Sequence, residues 1–137
     1  MASRHAHVIN SDLTDVELAS FPCSYSTAEN MLTRAEVGEG ETILVTGASG
    51  GVGSATVQLA RARGANIIAV TSASKAKTLM ELGALKTLDR GDDLASEIGA
   101  ATVDVVIDLV AGPKWPSLLD LLRPGGRYAV AGAIGGP

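Results

Sequence analysis

From residue 41 onward, short runs of apolar residues alternate with stretches of helical periodicity. Ile43-Leu44-Val45 and Val105-Val106-Ile107 are apolar at consecutive positions, which suits strands covered on both faces. The pattern predicts strands at Thr42–Thr46, Asn66–Thr71, Lys86–Leu88, Val103–Leu109 and Arg127–Ala131. Between them, Gly53–Arg63 carries Val57, Leu59, Ala60 and Ala62 with Gly64 as its stop, and Lys75–Leu82 repeats the arrangement with Gly83. A further helix is predicted at Pro116–Leu122, proline in its first turn and Pro124-Gly125-Gly126 behind it as a breaker, and a shorter one at Asp92–Ile98. Strand and helix in alternation mean repeated βαβ units and a parallel sheet. The expected fold is therefore α/β, a doubly wound Rossmann sheet with helices on both faces in a single-domain fragment.

The first 40 residues stand outside that alternation. Thr14–Ala19 and Tyr25–Arg34 read as two helices separated by Pro22, and Ala6–Ile9 as a short strand with nothing local to pair with. Residues 1–40 are read as a connecting segment and residues 41–137 as the dinucleotide-binding unit.

The strand ending at Thr46 runs directly into Gly47-Ala48-Ser49-Gly50-Gly51-Val52-Gly53 and then a helix. In that context the glycines have separate physical tasks: a tight turn, close approach of backbone to a pyrophosphate, and close packing of helix on strand. The helix N-terminus then presents unpaired N–H groups to an anion. A nucleoside-triphosphate loop is excluded, because no lysine follows the glycines at the required place. The ligand-free alternative is a glycine-rich turn serving only the packing of a parallel sheet.

Composition adjusts the picture in three ways. A net charge of −4 and a pI near 5.0 argue against a nucleic-acid partner. One Trp, two Tyr and one Phe leave the core to aliphatic residues. The run Val103–Gly112 is interrupted by Asp104 and Asp108 and is far shorter than the ~20 residues of a membrane span. With a single cysteine and no leader pattern, a cytoplasmic location is expected.

The second strand ends at Thr71, 18 residues after Gly53, where NAD-specific Rossmann domains carry an acidic residue that bonds the ribose hydroxyls. No Asp or Glu lies between Asn66 and Met80. Directly after Thr71 stands Ser72-Ala73-Ser74-Lys75, two hydroxyls and a cation suited to a 2′-phosphate, and Arg90 after the third strand is a plausible second cation. The expected cofactor is thus NADP rather than NAD. The competing reading makes Ser74 a helix N-cap and Lys75 a solvated side chain. Backbone after the fourth and fifth strands, Val110-Ala111-Gly112 and Ala131-Gly132-Ala133, should line the cofactor, because ligands of open α/β sheets sit beyond the strands' carboxyl ends. Asp108 is read as a solvated or capping carboxylate in preference to a site residue.

Thr46-Gly47 with Gly51 and Gly53 also satisfies the Thr-Gly-x-x-x-Gly-x-Gly pattern of short-chain dehydrogenases, but neither Tyr25 nor Tyr128 has a lysine four residues on. Other marks run in order through the chain: Phe21-Pro22-Cys23-Ser24-Tyr25-Ser26-Thr27-Ala28, Glu39-Gly40-Glu41-Thr42, the glycine turn, Glu81-Leu82-Gly83-Ala84, Asp104-Val105-Val106-Ile107-Asp108 and Leu122-Arg123-Pro124-Gly125-Gly126. With these the stretch from about Ala19 to Pro137 resembles the zinc-type alcohol dehydrogenase and quinone oxidoreductase branch of the medium-chain dehydrogenase/reductase superfamily.

The resemblance implies hydride transfer between NADPH and an alcohol or aldehyde, a quinone or an activated alkene. It implies that a preceding catalytic domain is missing, so that the fragment binds cofactor without turning substrate over and carries no catalytic residue of its own. It matches Cys23 to one ligand of the family's catalytic zinc, the idle-thiol reading weighing equally, and Thr27 to a position near the nicotinamide. Zinc would then bind only in the full-length protein, whose homodimer is a further implied partner alongside cofactor and small-molecule substrate. His5 and His7 form a His-x-His pair, set behind an idle tail. The reading from a different class is a nucleotide-binding or sensor module with no activity.

Overall fold

The computed structural model describes residues 7–136. His5 and the first residue of the expected Ala6–Ile9 strand lie outside them, and residues 7–10 are irregular. Helix α1 (Asp15–Arg34) precedes strand β1 (Thr42–Val45), and then helix and strand alternate: α2 (Gly51–Ala62), β2 (Asn66–Thr71), α3 (Ala73–Leu82), β3 (Lys86–Asp89), α4 (Leu94–Ile98), β4 (Val103–Asp108), α5 (Trp115–Leu119) and β5 (Leu122–Val130). The five strands form one all-parallel sheet in the order β3-β2-β1-β4-β5. This is the Rossmann arrangement, with the order reversing beside β1.

Alternate strand residues feed two cores. Ile43, Val45, Ile67, Ala69, Val105 and Ile107 meet Leu32 of α1, Val57 and Ala60 of α2 and Leu79 of α3. Leu44, Ile68, Val70 and Val106 meet Leu118 of α5 on the opposite face, with Leu94 and Ile98 of α4 packed against them. Each fully buried Leu, Ile or Val contributes about 1.5–3 kcal/mol.

Two local expectations are corrected. Pro22 does not divide the N-terminal segment; one helix runs through it. Thr14 and Glu17 form a capping box, Glu17 accepting from the Thr14 N–H at 2.8 Å, and this starts the helix about two turns before the proline. Residues around Pro22 are exposed, so the lost N–H and the ring are absorbed on the solvent side, while Ala28, Met31 and Leu32 bury the far end.

The second correction concerns the helix expected at Pro116–Leu122, which stops at Leu119; Leu122 already belongs to β5. Leu122 pairs with Val103 and Arg127 with Val105, so residues 123–126 bulge opposite a single residue. An edge strand tolerates the missing donor of Pro124, and Gly125 takes the φ of +81° that the bulge requires.

Elsewhere the boundaries move by one to two residues. Starting α2 at Gly51 places Val52 and Gly53 in its first turn, and starting α3 at Ala73 makes Ser72 rather than Ser74 the N-cap, although its side chain caps nothing. Among the described residues no helix is long and apolar enough to cross a membrane.

Candidate functional site

All the loops that sequence reasoning singled out, except the N-terminal segment, lie at the carboxyl ends of the strands. The turn after β1 is built by Gly47 at φ +59°, with the Gly50 N–H donating to the Gly47 carbonyl at 3.0 Å. Gly53 is where α2 presses on that turn, since a Cβ there would stand 2.4 Å from the Gly47 oxygen. At Gly51 a Cβ would stand 2.8 Å from Ser24 Oγ, so α1 crosses directly over the start of α2.

Gly50 differs: its nearest obstacle is the Gly47 oxygen at 3.4 Å, and the residue is exposed. As N-cap it offers no side chain to the helix, and no acidic residue stands in the first turn. Among the described residues the N–H groups of Ser49, Gly51, Val52 and Gly53 donate to no backbone acceptor. Four donors at a helix N-terminus, with no carboxylate in that first turn, make a cradle that suits a diphosphate.

A cleft of about 610 Å³ extends from this turn on the α4/α5 side of the sheet. Thr46, Gly47 and Val70 form its floor, Arg90–Ala95 one wall, and Asp108, Val110, Ala111 and Lys114 the other. A second cavity of about 890 Å³ lies between α1 and β5, lined by Thr27, Asn30, Arg34, Arg127, Tyr128 and Ala131 among others.

The structure therefore brings together Arg90 and Val110 in the cleft, and Thr27 and Ala131 in the cavity; Ala48–Gly53 line neither space and adjoin the cleft only through Gly47. Thr71 is 2% exposed with its hydroxyl unpartnered, Ser72 and Ser74 face one another at 3.2 Å, and Lys75 is exposed; none of the four lines either space. Gly132 and Ala133 are exposed beyond β5.

Of the two expectations for Asp108, solvated or capping, the structure shows the second: it is buried and caps the N–H groups of the loop that follows it. It is 1% exposed, and its Oδ1 accepts from Thr46 Oγ1 at 2.5 Å and from the Val110 and Ala111 N–H groups at 3.0 Å each, while Oδ2 accepts from Tyr128. Burial alone pushes this carboxyl up, but the Thr46 and Tyr128 hydroxyls and the two loop N–H groups outweigh it and hold it below the usual carboxylate range. The Tyr128 phenol is pushed well above its ordinary value, by burial first and then by Asp108. Sequence reasoning passed over Thr46 and Lys114. A polar residue closing an otherwise apolar strand was the available signal for the first, and Gly112-Pro113-Lys114 in the loop after the fourth strand for the second.

A zinc site does not assemble here. Cys23 is exposed on α1, His7 is exposed in the tail, and among the described residues no three His, Cys, Asp or Glu side chains converge. These residues support no step through a metal.

Comparison with known proteins agrees with this geometry. Residues 51–137 match the family model described as zinc-binding dehydrogenase. The acryloyl-coenzyme A reductase of Metallosphaera sedula is 37% identical over 116 residues, 82% of this chain and 34% of that protein. The quinone oxidoreductase of Rattus norvegicus is 37% identical over 102 residues, 70% of this chain and 31% of that protein. A solved structure of a candidate alcohol dehydrogenase from Sinorhizobium meliloti 1021 is 54% identical, with a TM-score of 0.91 over 100% of this chain and 39% of that one. The chain thus spans about a third of the length of these two curated relatives.

Proposed function

Because the chain belongs to the zinc-binding dehydrogenase family of the medium-chain dehydrogenase/reductase superfamily, we propose that it is the NADP-binding region of an oxidoreductase. The single observation that carries this is the cradle at Ser49–Gly53, four unpaired backbone donors at a helix start beside a glycine with room for a ligand. The diphosphate is assigned to that cradle, the adenosine to the cleft walled by Arg90 and Val110, and the nicotinamide end to the Thr27 and Ala131 side. When bound, the nicotinamide supplies or accepts the hydride, and this chain's residues bind and orient it.

The preference for NADP over NAD rests on Thr71, Ser72, Ser74 and Lys75 at the end of β2, where no carboxylate opposes a 2′-phosphate. Within a longer protein the reacting partner is an alcohol or aldehyde, a quinone or an activated alkene, and the names of the three relatives cover these classes. Residues 1–40 serve as the connection to a catalytic domain, and Cys23 is at most one ligand of a zinc completed from there. By itself the chain binds cofactor and does not turn substrate over.

Calorimetric titration with NADP and NAD tests the assignment. Tighter NADP is expected, with Lys75→Glu weakening NADP far more than NAD; equal affinities or tighter NAD would overturn the preference, and binding unchanged in a folded Gly50→Val would overturn the cradle.

A further inference from the structure

The proposed cofactor reading leaves one buried group without a task. Asp108, at the carboxyl end of β4, touches both spaces at once: Thr46, Val110 and Ala111, held by its Oδ1, line the cleft, while Tyr128, held by its Oδ2, lines the cavity between α1 and β5. We propose that Asp108 and Thr46 are positioning residues for the dinucleotide, fixing the loop after β4 against the phosphate turn so that the two ends of the ligand meet preformed walls. This rests on the reading of the cradle as a cofactor site.

Three geometric facts support it. The Val110 side chain stands where a Cβ on Gly47 would come within 3.1 Å, so the loop and the phosphate turn are in direct register. Ala111 holds φ +54°, a left-handed conformation that a non-glycine residue keeps only where its surroundings over-determine it, and the Asp108 carboxylate accepts its N–H. Thr46 closes the loop from the other side, donating to Asp108 and accepting from the Leu109 N–H at 3.0 Å. A carboxylate accepts all four donors as they stand, three on one oxygen and a fourth on the other, whereas an amide offers a single acceptor oxygen and would have to reverse the Tyr128 bond. Bonds to the charged group are also about twice as strong as neutral ones.

The test measures NADPH affinity by cofactor fluorescence on this chain, at a temperature where circular dichroism shows every variant folded. Thr46→Val and Asp108→Asn are each expected to weaken NADPH about tenfold, the loss of one or two charge-assisted bonds. Thr46→Ser, which keeps the hydroxyl, should return affinity to within about twofold of the parent. A network that served stability alone would lower the melting midpoint and leave the affinity of the folded protein unchanged; that result overturns the proposal. Amide hydrogen exchange at Val110 and Ala111 gives a second readout, expected to accelerate in Asp108→Asn, and exchange as slow as in the parent overturns it equally. A parent chain that binds no NADPH removes the cofactor reading itself, and the proposal with it.

Discussion

Gly53 in the first turn of α2 lies against Gly47 so closely that a single added methyl would sit 2.4 Å from the Gly47 carbonyl oxygen and 2.6 Å from the Ala48 Cα. Both obstacles are backbone, so nothing can swing aside. Gly53→Ala is expected to cost about 2–3 kcal/mol of stability, the upper part of the usual range for overpacking. Gly50→Val, with its nearest obstacle at 3.4 Å and an ordinary φ of −77°, should retain the fold and lose cofactor binding. Thermal melts of the two variants, read beside calorimetric titrations, separate the glycine that packs from the glycine that receives a ligand. A Gly53→Ala melt matching the parent would contradict this close packing.

Acid should reach Asp108 late. Its folded-state carboxyl is held below the ordinary value of 3.8 despite burial, by the Thr46 and Tyr128 hydroxyls and the loop N–H groups. A depressed folded pKa contributes stability that is fully present above the unfolded pKa and is lost as pH falls through the folded one. Between pH 7 and about 5 the contribution is therefore constant, and it decays below about pH 4. Urea unfolding as a function of pH should show this acid limb in the parent and a shallower one in Asp108→Asn, whose amide cannot titrate. Parallel acid limbs would show that Asp108 contributes nothing to the pH dependence.

Thr71 is 2% exposed and its hydroxyl has no hydrogen-bond partner. Desolvating a hydroxyl without compensation costs about 1–3 kcal/mol, so the near-isosteric Thr71→Val should raise the melting temperature, by several degrees for a domain of this size. The same variant titrated with NADP asks whether that hydroxyl serves the ligand. Affinity should fall if it bonds the ribose region, and a lowered melting temperature would mean that the hydroxyl is satisfied in the folded chain.

Pro22 sits in the interior of α1 with its surroundings exposed, and the Ser26 hydroxyl donates to its carbonyl. Pro22→Ala restores one helical N–H and removes the ring clash, at the cost of a freer unfolded chain. The balance favours the variant by about 1–2 kcal/mol against the roughly 3 kcal/mol difference in helix propensity. Circular dichroism should record a higher midpoint with native helix content unchanged; a lower midpoint would mean that the proline bends α1 into a packing the chain needs.

The sequence by itself determined the sheet and the phosphate turn, because both are written in local patterns. Consecutive apolar positions such as Val105-Val106-Ile107 can be buried only by helices on both sides, and a strand entering Gly47-Ala48-Ser49-Gly50-Gly51-Val52-Gly53 has few conformations open to it. Tertiary structure decided what depends on residues distant in the chain. The single helix through Pro22 results from the capping box at Thr14 and the burial of Leu32, which outweigh a local breaker. The bulge at residues 123–126 exists because Leu122 and Arg127 find partners on β4, whereas Pro124-Gly125-Gly126 in isolation reads as a break. Asp108 most clearly shows the boundary between the two. Its position at a strand end was visible, but its four donors come from Thr46, the β4 loop and Tyr128, separated from it by up to 62 residues, and only the closed sheet brings them within hydrogen-bond reach.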